Sequence, residues 1–212
     1  MISCTALAQE KQSSAISGYD ELEKGKSKFS ETWVHPEADF SQYSKIYVWD
    51  PVFEYRDVGP AQRSRRTMVS SHRREFGISE KDREKIEQIV AEAFHKEMQK
   101  GKRFELVDTI GPDTLLLRAA ILDIVSNVPP ETVGRGDVYV SSVGQGTFVM
   151  ELIDVETGVV QALVGERRTI GGRGGMSSSP ATSPTIIADI RRWATGAAKQ
   201  LRTELDKALA GG

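Results

Sequence analysis

The sequence predicts an α+β fold: a two-layer domain with a mixed, mostly antiparallel sheet of about four to five strands and two helices, in the order strand-helix-strand-strand-strand-strand-helix. Three observations predict it. Between Thr147 and Thr169, Phe148, Met150 and Leu152 alternate onto one face, and Val160, Ala162 and Val164 do the same beyond the turn signal Asp154-Val155-Glu156-Thr157-Gly158. That is a hairpin with one apolar face. Ile86, Ile89, Val90, Ala93, Phe94 and Met98 recur at helical spacing, and Ile187, Ile190, Trp193, Ala194, Ala197, Leu201, Leu205 and Ala208 repeat the pattern near the end of the chain. Strands and helices that segregate along a chain in this way fit two packed layers.

Taken in order, residues 9 to 30 are polar and show little periodicity, so residues 1–30 read as an export-signal remnant and a tether, with one domain over 31–212. Lys45 to Trp49 is β-branched and aromatic on both faces and reads as an interior strand interrupted by Asp50-Pro51. Residues 57–78 form a long connection without a period. Ser79 opens a helix with Asp82 placed to reach back, and Gly101 stops it. Phe104 to Asp108 is a short strand. Leu115 to Val125 is apolar on both sides and belongs in the middle of the sheet, descending after the turn at Gly111-Pro112. Residues 126 to 146 are irregular, with a short strand at Val138 to Val140 as an option. A Gly/Ser/Pro linker at 170–185 precedes the final helix, where the small alanines and Gly196 are expected to let the helix approach the sheet closely.

The 212 residues and their formal charge of −2 supply a single core and no global field for a polyanion, so nucleic acid is not an expected partner. The one cysteine, Cys4, excludes an internal disulfide framework and a multi-cysteine metal site, and the histidines have no ligand spacing, so neither metal nor cofactor is expected. Around Cys4 three readings stand open. The chain begins inside a longer export signal and Cys4 carries lipid; or cleavage follows Ala6-Leu7-Ala8 and the product is a soluble exported form; or the segment is a frayed terminus. No apolar run is long enough to span a membrane, which leaves a lipid on Cys4 as the one expected membrane attachment.

Two groups of residues are candidates for function. The long connection carries Arg63, Arg65, Arg66, Arg73 and Arg74, a basic patch for an anionic partner or a solvated loop. Tracing strand directions places this loop at the same end of the sheet as the acidic turn at Asp154 to Glu156, and a surface with both signs side by side suits a protein partner. Asp50, Asp123, Glu151 and Asp154 are the carboxylates that a paired-acid hydrolase or small-ligand-binding protein would have to gather.

Ser17-Gly18-Tyr19 with Leu22, Ala38-Asp39-Phe40 with Tyr43, Asp50-Pro51-Val52, and Glu151-Leu152-Ile153-Asp154 with Thr157-Gly158 follow one another in an order that resembles the bacterial lipoprotein family catalogued as domain of unknown function 3313. The resemblance implies a protein of the Gram-negative envelope, in the periplasm and held at the outer membrane through a lipidated cysteine matching Cys4, that docks onto partner proteins. It carries no catalytic residues to transfer.

Overall fold

The computed structural model describes residues 16–58, 75–129, 139–171 and 179–211. Its elements are β1 (Glu23–Lys24), β2 (Glu31–Val34), β3 (Lys45–Val48), β4 (Val52–Tyr55), α1 (Glu80–Met98), β5 (Glu105–Val107), β6 (Thr114–Ser126), β7 (Tyr139–Val140), β8 (Gly144–Asp154), β9 (Val160–Ile170), β10 (Ser179–Pro180) and α2 (Ser183–Ala208). The main sheet runs β1-β2-β9-β8-β6-β3-β5, with β4 also pairing β6, and β7 and β10 form a separate ribbon. The α+β class holds, but eight strands replace the four to five expected. The added strands are short: β1, β2 and β4 have two to four residues each, too few to show a period.

The long strands form where alternation predicts them. In the hairpin Met150 pairs with Val164 and Leu152 with Ala162, on the face that carries both helices. Val160 does not join this row. Gln161 is an extra residue between Ala162 and Val160, so Val160 sits opposite Ile153, and both are fully buried. The turn closes as its sequence requires: Gly158 takes φ 73, and Asp154 Oδ1 accepts from the amides of Glu156 at 2.7 Å and Thr157 at 3.1 Å.

Two expectations about β6 are corrected. It is central, between β8 and β3, but only one of its faces is covered. Leu115, Leu117, Ala119 and Ile121 face the helices and are buried, whereas Leu116, Arg118, Ala120 and Leu122 are half-buried on a face without helices. Its direction is also reversed from the expected one. β3 lies between β5 and β6 and is parallel to both, with Ile46 paired to Leu106 and to Leu115. Because β5 has three residues, the six residues 108–113 suffice to carry the chain back to the level where β5 began, and β6 then rises again instead of descending.

The helices form the second layer. Ser79 caps α1, its hydroxyl accepting from Asp82 N at 3.3 Å and donating to the Asp82 carboxylate at 2.6 Å. Ile89, Val90, Ala93 and Met98 are buried with Ile190, Ala194, Leu201 and Leu205 of α2 in one cluster. Gly196 is exposed with open space at its Cβ, so close approach rests on Ala194, Ala197 and Ala198. The stretch read as a tether is part of the fold from Ile16 on: Ser17 is bonded at Gly158 and Val160, and Phe29 is 6% exposed. Within the expected 170–185 linker, Ile170 ends β9, Ser179–Pro180 is β10, and residues 172–178 lie outside the described residues.

Candidate functional site

The sheet has two ends. At the Leu115 end lie the 154–158 turn, the starts of β3 and β5, and the incoming residue Ser17. At the Ser126 end lie Arg56, whose amide bonds Ile124 O, and Phe76, which is bridged to Ser126. The arginine-bearing connection therefore leaves and re-enters at the Ser126 end. This overturns the expectation that it shares an end with the acidic turn, and the cause is the reversed direction of β6. Arg63, Arg65, Arg66, Arg73, Arg74 and Cys4 lie outside the described residues.

The flanks of that connection meet in a charge network. Residues 123 and 124 together oppose Gly146, since Leu122 pairs with Thr147 and Val125 with Gln145. Asp123 takes φ 58, a conformation that Asp adopts more readily than most residues, and this bulge turns its side chain off the ladder. Arg56 grips both oxygens of Asp123 and also bonds Glu75. Glu75 accepts from Gln145 Nε2 at 2.9 Å, and Arg167 reaches Asp123 at 3.2 Å. The Arg56 guanidinium holds the Asp123 carboxyl below the usual carboxylate range, so it stays ionised in any near-neutral medium. Left-handed non-glycine backbone inside a dense charge network is a feature that gathers at functional sites. Arg56 and Glu75 bracket the long connection in sequence; their opposite signs were visible, but their pairing was not, because nothing periodic links positions 56, 75, 123 and 167.

Arg118 and Asp123 do not pair with each other. Arg118 Nε bonds Glu151 at 2.6 Å across the ladder, and Tyr19 O–H donates to Glu151 at 2.9 Å while accepting from Arg118 at 3.0 Å. Asp154 accepts from Tyr43 O–H at 2.7 Å. Burial and this carboxylate push the Tyr43 phenol far above its ordinary range, so it remains a donor. Asp50 is exposed in the β3–β4 link.

Asp123 is thus not gathered with Glu151 or Asp154. Asp123 stands roughly 16 Å along β6 from the level of Glu151 and roughly 26 Å from that of Asp154, at about 3.3 Å per residue. Asp154 instead shares a shallow cleft with Asp113 and Glu156. There, Lys45 at 2.8 Å and Ser44 hold Asp113 below the usual carboxylate range, the wrong direction for a general acid. Among the described residues no group of three or more potential ligands is placed to hold a metal ion.

The residues that carry the family resemblance are fold ties. Ser17 bonds Gly158, Tyr19 bonds Glu151, and Tyr43 bonds Asp154, so the incoming segment, the β3 approach and the hairpin close on one another. The model of the family described as Protein of unknown function (DUF3313) matches residues 11–172. The chain belongs to this family. No curated protein matches the sequence. Among solved structures, the chain is similar to the PelC dodecamer from Paraburkholderia phytofirmans, with 12% identity over 73% of this chain and 88% of that one and a TM-score of 0.29. It is similar to a candidate lipoprotein from Caulobacter crescentus, with 16% identity over 60% and 85% and a TM-score of 0.34. It is also similar to a DUF330 protein from Xanthomonas campestris, with 12% identity over 82% and 91% and a TM-score of 0.40.

Proposed function

We propose that this DUF3313 protein is a non-catalytic lipoprotein of the cell envelope, anchored at the outer membrane through Cys4 and the residues ahead of Ile16, which binds a partner protein with the arginine-bearing connection at the Ser126 end of its sheet. One observation carries the reading: Arg56 and Glu75, the residues that bracket the connection, are bonded to each other, and Arg56 also grips Asp123 on the central strand. Such a clamp fixes where residues 57–74 leave and re-enter the domain. A loop closed at its base keeps its ends in register and loses less conformational entropy when a partner orders it. Arginine on such a loop offers forked donors that suit carboxylates on a protein surface.

The experiment reverses the charge of Arg65, Arg66, Arg73 and Arg74 to Glu in the chain expressed with an export signal, and compares cross-linked partners in the envelope fraction with those of the parent. Loss of one or more parental cross-links, with thermal stability unchanged, supports the reading. An identical set of partners refutes it. The anchor has a separate test: Cys4→Ala should move the protein from the detergent phase to the soluble periplasmic fraction, because the acyl chains supply the membrane affinity.

A further inference from the structure

We infer that the helix-free face of the sheet rests on a lipid headgroup surface, the same membrane to which Cys4 is anchored; this rests on the lipoprotein reading above for its setting and is tested apart from it. The two sides of the domain differ sharply. Outward from the helices α1 shows Glu84, Lys85, Gln88, Glu92 and Lys96 to solvent, a side suited to water. The other side carries Trp33 at 37%, Trp49 at 51%, Val52 at 54% and Tyr19 at 41% exposure.

Registers place these residues on one face. Trp33 pairs with Leu163, Leu163 with Glu151, and Glu151 with Arg118, while Trp49 N bonds Leu117 O and continues that row on the far side of β6. The Trp49 ring meets Tyr47 edge-on at 6.5 Å, and Val52 pairs with Ala120. The two tryptophans thus stand four strand spacings apart, roughly 19 Å at about 4.8 Å each. They bound a broad platform, and a planar surface covers it better than a single peptide in a groove.

The platform carries two ion pairs, with Asp50 and Glu54 exposed beside Trp49 and Val52. Arg118 bonds Glu151, and Lys24 lies 3.8 Å from Glu31. Indole and phenol rings with an apolar body and a polar edge, set among neutralised ion pairs, match the water–lipid interface, where tryptophan and tyrosine concentrate. The path of the chain selects this face for the membrane. Tyr19 lies on it, and Ile16 follows Cys4 by twelve positions. Twelve residues reach at most about 40 Å when fully extended. An anchored Cys4 therefore holds the platform at high effective concentration beside the bilayer.

The chain has three tryptophans, and the third, Trp193, sits half-buried on α2 in the opposite layer, an internal control. Three variants each keep one tryptophan and change the other two to Phe. The purified protein is coupled through the Cys4 thiol to maleimide-bearing phosphatidylethanolamine in phosphatidylethanolamine–phosphatidylglycerol vesicles whose acyl chains carry bromine. The expected result is strong loss of Trp33 and Trp49 emission with Trp193 emission retained. Val52→Asp, an exposed position, should weaken the quenching of Trp49 while leaving the thermal midpoint in place.

Quenching of Trp193 equal to or above that of the other two, or of none of the three, overturns the inference. So does a Cys4→Ala protein that dimerises in lipid-free buffer with blue-shifted Trp33 and Trp49 emission, since a second copy would then cover the face. Chemical coupling makes this test independent of cellular processing. Whether cells acylate Cys4 is read separately, by mass spectrometry of the N-terminal peptide.

Discussion

Leu116 and Leu117 are adjacent, identical in type and in the middle of the same strand, and they should differ sharply in what they contribute. Leu117 is 0% exposed under both helices, whereas Leu116 is half-buried on the open face. Leu117→Ala removes a fully buried side chain from a site flanked by Val48 and Leu152 and covered by the helix cluster, where little collapse is available. The expected cost is about 3–5 kcal/mol, the upper part of the range for such changes. Leu116→Ala forfeits only part of a burial worth about 1.5–3 kcal/mol and leaves no closed cavity, so about 1 kcal/mol is expected. At about 2–4 °C per kcal/mol for a chain of this size, the two midpoints should differ by roughly 4–16 °C. Urea melts of both variants with an unchanged m-value, alongside thermal melts, supply the measurement. Equal costs would mean that both faces of β6 are covered, as the apolar run alone implies. A larger cost at Leu116 would mean that the strand is slipped by one residue and its faces are exchanged.

Leu152→Asp places a charge on the helix-covered side of the hairpin and should abolish the cooperative thermal transition; a melt coinciding with the parent's would show the wrong face. Asp123 is held ionised by Arg56, so its folded carboxyl titrates below the unfolded value of about 3.9. Its contribution is complete above that value and is lost as pH falls through the lower folded one. Asp123→Asn, which tolerates the same backbone conformation, should therefore flatten the fall of the thermal midpoint with acid below about pH 4. An unchanged acid limb would refute the assignment. Gly18 takes φ 89, and a Cβ there would lie 2.9 Å from a Val159 methyl group. Gly18→Ala should loosen residues 16–22 and raise amide exchange at Ser17 and Val160, with the core of β6 and β8 still protected.

The sequence by itself determined the elements whose residues repeat. The 3.6-residue stripe fixed α1 and α2, and alternation around Asp154 to Gly158 fixed the hairpin and the face it buries. The Ser79 cap was also legible, because it depends on two side chains three residues apart. In each case the signal is local, and burial then rewards the pattern already present. The order of short motifs was enough to identify the family.

Tertiary structure alone decided the rest. Lys45 to Val48 pairs with both β5 and β6, and only that insertion makes β6 parallel to β3 and sends the arginine-bearing connection to the end away from the acidic turn. Strand direction depends on which partners compete for an edge, and no residue in 108–113 encodes that choice. Glu23–Lys24 and Glu31–Val34 are strands because β9 offers a free edge, not because their polar residues favour extension. The apolar run of β6 looked covered on both sides because its two faces carry similar residues. The helices connect so that both fall on one side, which left Leu116, Ala120 and Leu122 facing outward with the tryptophans. The Arg56–Asp123–Glu75 clamp likewise joins residues 19 to 67 positions apart, a coincidence that only the folded chain creates.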